Sequence, residues 1–291
     1  MRHQGAAFKN VLSLLTQAAQ ARSSQTFHSL HWAILPDTAM TLISTDVDDF
    51  RKVRSERLRP LAALKSFRRL IRDKEDTAEV FRIMQALSGR SVSRGYRRML
   101  STMEGGRQAF LREELAHKLD DPVWLARFPP GTVGATYRAF REARGFTADG
   151  LAEVEREVVA FIDAPHPVIW YSRRLRDVHD IWHVLTGYGT DALGEACVVS
   201  FSYGQTRNLG FAFIGWGAAR EIQREVRSVP ARRAVWQAYR NGKAARWLPA
   251  LDYEALFEQP LEAVRARLSI RPADVYQAVP ADLRAGLKLR G

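Results

Sequence analysis

The chain has 291 residues, 46% hydrophobic and 26% charged, a balance that suits a folded globular protein and excludes wholesale disorder. Its one cysteine, Cys197, excludes a disulfide scaffold, and no apolar run reaches the 18 residues a membrane-crossing helix needs. The formal net charge is +12, from 44 basic residues of which only seven are lysine. That sign points to a nucleic acid, an anionic membrane surface or acidic substrates. The basic residues are dispersed among acidic neighbours, without zinc-finger spacing, an aromatic RNA-binding signature or a basic tail, so nucleic acid is not expected.

In chain order, residues 1–55 read as a variable segment with helical periodicity at Phe8, Val11, Leu12 and Leu15. The first 36 residues carry no acid, so either an amphipathic first helix or an organellar transit peptide fits, whereas Lys9 and Asn10 interrupt any secretory apolar run. Leu61, Leu64, Phe67, Leu70 and Ile71 repeat at helical spacing. Asp76 to Glu79 resembles a cap before a second helix through Val80, Phe81, Met84 and Leu87, which Ser88-Gly89 ends. Gly105-Gly106 is expected to break the chain before Phe110, and the stretch Phe128 to Gly134 to form a turn before Tyr137 and Phe140. A further break is expected at Asp163 to Pro167. With β alternation scarce and no linker in mid-chain, the expectation is an all-α protein with a single helical domain over 56–272 and a tail over 273–291.

The informative segment lies between Trp170 and Gly210. At about 100° and 1.5 Å per residue, His179 and His183 stand one turn apart on one helix face, so their rings can meet a single ion. Asp180 adjoins them. Gly187-Tyr188-Gly189 stops that helix, Thr190 or Asp191 can cap the next, and a chain reversal would lay Glu195 against the histidine turn. Two imidazoles with one or two carboxylates suit a divalent ion such as zinc, and Asp177 is a candidate acceptor for a histidine N–H. Histidines four apart also occur as ordinary structural residues. A zinc-peptidase helix requires glutamate where this chain has Asp180, and a His-Asp phosphohydrolase requires an upstream histidine and a distant aspartate that His166 and Asp191 do not supply.

The pattern His179, Asp180, His183 and, after eleven intervening residues, Glu195 resembles the signature of the Coq4 family of ubiquinone-biosynthesis proteins. The surrounding context is similar too: Arg173-Arg174-Leu175-Arg176-Asp177-Val178, Leu193-Gly194, Gln205-Thr206, the upstream Gly131-Thr132 and Tyr137 to Phe140, and the downstream Trp236, Asn241-Gly242 and Tyr253-Glu254. The chain departs from the family's usual Lys-Trp-Phe-Glu at Val199-Ser200-Phe201-Ser202. The resemblance implies a helical fold with zinc, or alternatively iron, on His179, Asp180, His183 and Glu195. It implies either removal of the C1 carboxyl of a polyprenylated hydroxybenzoate with hydroxylation there, or a non-catalytic, lipid-binding organiser of the quinone-biosynthesis enzymes in which the metal is structural. It further implies partners among those enzymes and peripheral membrane attachment; the sequence leaves the oligomeric state open, homo-oligomers included. The site would be the cytoplasmic face of a bacterial inner membrane or the matrix side of the mitochondrial one.

Two groups remain. Arg173, Arg174 and Arg176 can pair with a substrate anion through their guanidinium forks, or simply salt-bridge Asp177 and its neighbours. Phe211, Phe213, Ile214 and Trp216 can line the mouth of a prenyl cavity or dip into lipid, or be ordinary core.

Overall fold

The computed structural model describes residues 56–72, 77–143 and 166–287; the expected segment 1–55, Asp76 and the break before His166 lie outside them. Among the described residues there is no strand, only helices and one isolated bridge between Thr132 and Pro260. The protein is one helical domain.

Helices α1 (Pro60–Arg72) and α2 (Thr77–Leu87) follow the expected periodicities and join Ala63, Leu70, Val80 and Ile83 in one apolar cluster. Next come α3 (Ser91–Leu100) and α4 (Met103–Leu111). The expected break at Gly105-Gly106 is not there, because Thr102 caps α4 by accepting from the Gly105 N–H and the glycine pair forms its first turn. A Cβ at Gly105 would lie 2.4 Å from the Met99 carbonyl, so the glycine marks a close approach instead of a chain break.

Short helices α5 (Leu115–Asp120) and α6 (Pro122–Ala126) lead to the expected turn and to α7 (Val133–Glu142). The Thr132 hydroxyl caps α7 by accepting from the Ala135 N–H. Backbone bonds Val133 N to Gln259 O (3.0 Å) and Leu261 N to Gly131 O (2.9 Å) pin the turn to the carboxyl-terminal third.

Helix α8 (Pro167–Asp177) runs almost directly into α9 (His179–Thr186), with the bond from Val178 N to Arg174 O kept across the joint. Gly187, at φ 74°, closes α9 in the left-handed conformation that glycine adopts without steric cost. Asp191 then caps α10 (Ala192–Thr206) by accepting from the Leu193 and Gly194 N–H groups. Helix α10 is apolar on nearly every side and buried throughout its first eleven residues, which makes it the central helix. Around it lie α9, α11 (Leu209–Glu225) and α12 (Ala231–Ala244).

The end of the chain comprises a 3-10 turn (Leu248–Ala250), α13 (Tyr253–Phe257), α14 (Leu261–Arg267), α15 (Asp274–Gln277) and α16 (Ala281–Gly286). The segment expected as a tail from 273 buries Ala273, Tyr276, Val279 and Leu287 in the main core as far as it is described. The Tyr276 hydroxyl accepts from the Gly189 N–H and donates to Asp191, so this segment holds the turn between α9 and α10.

Candidate metal centre

His179, Asp180 and His183 each offer a ligating atom within 4.8 Å of the others, and all three are buried. The two rings meet edge to face, with centroids 4.9 Å apart, as one-turn spacing on α9 requires. The turn at Gly187 folds α10 back so that Glu195 Oε2 lies 3.3 Å from His183 Nε2, with both side chains essentially inaccessible to solvent. That separation is about what two ligands on bonds of roughly 2.0 Å at a tetrahedral angle would show.

The donor atoms fit a cation. His183 Nδ1 lies 3.0 Å from the Tyr188 carbonyl oxygen, which can only accept, so Nδ1 carries the proton and Nε2 presents its lone pair. Nε2 of His183 and both ring nitrogens of His179 are buried without a hydrogen bond of good geometry, and the lone pairs among them are costly to bury unless something positive meets them. Burial disfavours a charged His183 ring. The charge and contact of Glu195, then Asp180 and the Tyr188 carbonyl, outweigh it and raise the pKa above the ordinary value. The pocket therefore favours positive charge at Nε2.

The turn that delivers Glu195 depends on a second glycine. A Cβ on Gly194 would lie 2.1 Å from the Gly189 carbonyl oxygen, so the turn's backbone rests directly on the first turn of α10.

Helix α7 covers the other side of the site. Phe140 stacks on the His183 ring (5.6 Å, 29°), and Arg141 pairs with Asp120 at 3.1 Å. Tyr137, wholly buried, packs on Phe257 at 5.3 Å, and its hydroxyl has no partner. Burial, followed by the Asp180 carboxylate, drives the Tyr137 phenol well above its usual range, so it remains an O–H donor. Asp120 and Asp177 are both pushed up to about 6, in each case chiefly by burial and against the pull of a neighbouring arginine.

The other sequence candidates are placed apart from this cluster or are engaged. Arg173 pairs with Glu114 (2.6 Å), Arg176 with Asp177 (3.2 Å), and buried Arg174 donates to the Leu251 carbonyl (2.6 Å). All three guanidinium groups thus have partners within the protein. Asp177 accepts from Arg176, and its other oxygen, Oδ2, bonds to nothing, so it does not hold a histidine; the Tyr188 carbonyl does that for His183. Ile214 is buried against α1 and α2, Phe211 and Phe213 pack beside it, and Phe213 meets Phe67 edge to face. Trp216 stands 45% exposed near Trp236, which is 49% exposed. Sequence reasoning did not single out Tyr188, Phe140 or Tyr137 as site residues; the i, i+3 spacing of Tyr137 and Phe140 was the available signal.

Comparison with known proteins bears on the family and the fold. A family model for the coenzyme Q (ubiquinone) biosynthesis protein Coq4 matches residues 56–274. The mitochondrial ubiquinone biosynthesis protein COQ4 homolog of Danio rerio is 31% identical over 180 residues, 61% of this chain and 64% of its own length. The mitochondrial coq-4 protein of Caenorhabditis elegans is 28% identical over 181 residues, 62% of this chain and 75% of its own. The match to the Danio protein thus spans less than two thirds of that relative. A crystal structure from Nostoc punctiforme PCC 73102, described as a candidate ubiquinone biosynthesis protein, superposes with a TM-score of 0.54 at 19% identity. It covers 74% of this chain and 100% of that one, and shows the same fold. With its matched segment running through every residue of the histidine and carboxylate cluster, this chain belongs to the Coq4 family of ubiquinone biosynthesis proteins.

Proposed function

We propose that this protein binds a divalent metal ion, most simply zinc, on His179, Asp180, His183 and Glu195. With it, the protein removes the C1 carboxyl of a polyprenylated hydroxybenzoate as CO2 and installs a hydroxyl whose oxygen comes from water, O2 taking up the two electrons and two protons and leaving as hydrogen peroxide. The observation that carries this reading is the set of buried, unpartnered imidazole nitrogens facing carboxylates from two helices.

When bound, the cation supplies positive charge beside the ring carbon on which negative charge develops as CO2 leaves. The chain's own groups do the rest. The Tyr188 carbonyl fixes the His183 tautomer and ring direction. Phe140 covers the ring and keeps water from it, which strengthens every charge interaction inside. Because Arg173, Arg174 and Arg176 are engaged by Glu114, Leu251 and Asp177, we assign them to holding α8, and with it the start of α9, in place.

Peripheral attachment is part of the same proposal. Among the described residues no helix is long and apolar enough to cross a membrane. Trp216 and Trp236, with Leu209, leave apolar surface on α11 and α12, and this is where a lipid tail or membrane surface would be met. Phe211, Phe213 and Ile214 are committed to packing against α1 and α2.

The test uses the purified chain with metal analysis and a prenylated 4-hydroxybenzoate under O2. Product formation at one metal per chain supports the enzyme. Tight binding without turnover at full metal loading supports a lipid-binding organiser for other quinone-biosynthesis enzymes. His179→Ala and Glu195→Ala are expected to lose bound metal and activity together, and stoichiometric metal in both variants refutes the ligand assignment.

A further inference from the structure

We propose that the Tyr137 hydroxyl is a hydrogen-bond donor to an oxygen of the anionic ligand held at the His179, Asp180 and His183 cluster. The inference rests on the metal-centre reading above and assigns a residue to ligand recognition at that same site.

Tyr137, Phe140 and Arg141 fall at i, i+3 and i+4, on one face of α7. Phe140 lies flat on the His183 ring, so that face abuts the cluster. Tyr137 is one turn back on the same face and fully buried, and its hydroxyl meets no acceptor in the protein. Buried phenols ordinarily find a partner, and a site needing only packing against Phe257 would be filled equally well by phenylalanine. The charged group acting most strongly on the phenol is Asp180, a member of the cluster itself. An orphaned donor beside a site that collects positive charge calls for an oxyanion that bridges the two. The carboxylate of an aromatic acid has that chemistry.

Tyr137→Phe keeps the ring and removes only the hydroxyl, so three measurements on the full chain decide the matter. In the metal-free proteins the variant is expected to melt at or above the wild-type temperature. A drop of several degrees overturns the proposal, because it would show the hydroxyl bonded within the protein. Zinc stoichiometry is expected to be unchanged, since the phenol is not a ligand. Calorimetric titration of the zinc-loaded proteins with 3-geranyl-4-hydroxybenzoate is expected to show affinity weakened roughly tenfold or more, as for loss of a hydrogen bond to a charged group. Equal affinity in the two proteins, or a zinc-loaded wild type that does not take the probe, overturns the role of Tyr137 and leaves the metal centre standing. If neither protein holds zinc, the metal-centre reading fails and this inference falls with it.

Discussion

Replacing Gly194 by alanine tests how the site is built without touching any proposed ligand. The new Cβ would lie 2.1 Å from the Gly189 carbonyl oxygen, 2.7 Å from the Gly189 carbonyl carbon and 2.9 Å from its nitrogen. Ordinary contacts are roughly 3.5–4.0 Å, so the turn must retreat by more than about 1 Å. All three opposing atoms are backbone, and no side-chain rotation relieves the overlap. The turn is also restrained from outside, since the Gly189 N–H donates to the Tyr276 hydroxyl, which in turn donates to Asp191. Overpacking of this kind costs about 1–3 kcal/mol, and each kcal/mol lowers the melting temperature of a chain this long by about 2–4 °C. The functional effect follows from Tyr188, one residue before Gly189. Its carbonyl holds His183 Nδ1 at 3.0 Å, so moving the turn releases the tautomer that presents Nε2. Gly194→Ala is therefore expected to melt several degrees lower and to bind zinc about tenfold or more weakly, the loss typical of a disturbed partner behind a metal-binding histidine. Thermal melts paired with competition against a chelator of known affinity read both effects. A variant that matches wild type in both would refute the claim that this backbone contact sets the histidine turn.

Two further outcomes separate stability from metal binding. Arg265 donates to the Leu185 and Val184 carbonyls at 2.9 and 3.0 Å, satisfying the end of α9. Arg265→Ala is expected to lose about 1–3 kcal/mol in urea unfolding with zinc stoichiometry unchanged; loss of the metal would place Arg265 in the site. Asp120 has its carboxyl raised from 3.8 to about 6, so the folded state holds a proton that the unfolded chain has already released. Its contribution is complete below about pH 4 and is lost as pH rises through about 6, for a change of about 3 kcal/mol at most. Asp120→Asn should remove that component, making the unfolding free energy flatter between pH 4 and 6; identical profiles for the two proteins would contradict the raised carboxyl.

What lies within a turn or two of chain was legible beforehand. The helices over Pro60–Arg72 and Thr77–Leu87, the turn before Tyr137, and the stop at Gly187 all stand where periodicity and turn residues put them. Gly105-Gly106 was misjudged, since glycine has two uses and the sequence does not say which applies. It breaks helices, and it also permits the close approach that α4 makes to the end of α3. The segment after 272 carried too weak a pattern to read as anything but a tail, yet Tyr276 reaches back to fasten the turn between α9 and α10.

The sequence by itself determined that His179 and His183 share a face and that Glu195 can reach them, because helical pitch and a short turn are local geometry. Tertiary structure decided everything that depends on which remote group arrives first. Glu114 and the Leu251 carbonyl, 59 and 77 residues away, engaged Arg173 and Arg174, while the Tyr188 carbonyl accepted the His183 Nδ1–H and Asp177 paired with Arg176 at short range. Helix α7 closed over the cluster with Phe140 on the imidazole and left the buried Tyr137 hydroxyl, on the same helix face, without a partner. A donor's partner is set by packing among elements far apart in the chain, and spacing along the sequence carries no measure of that distance.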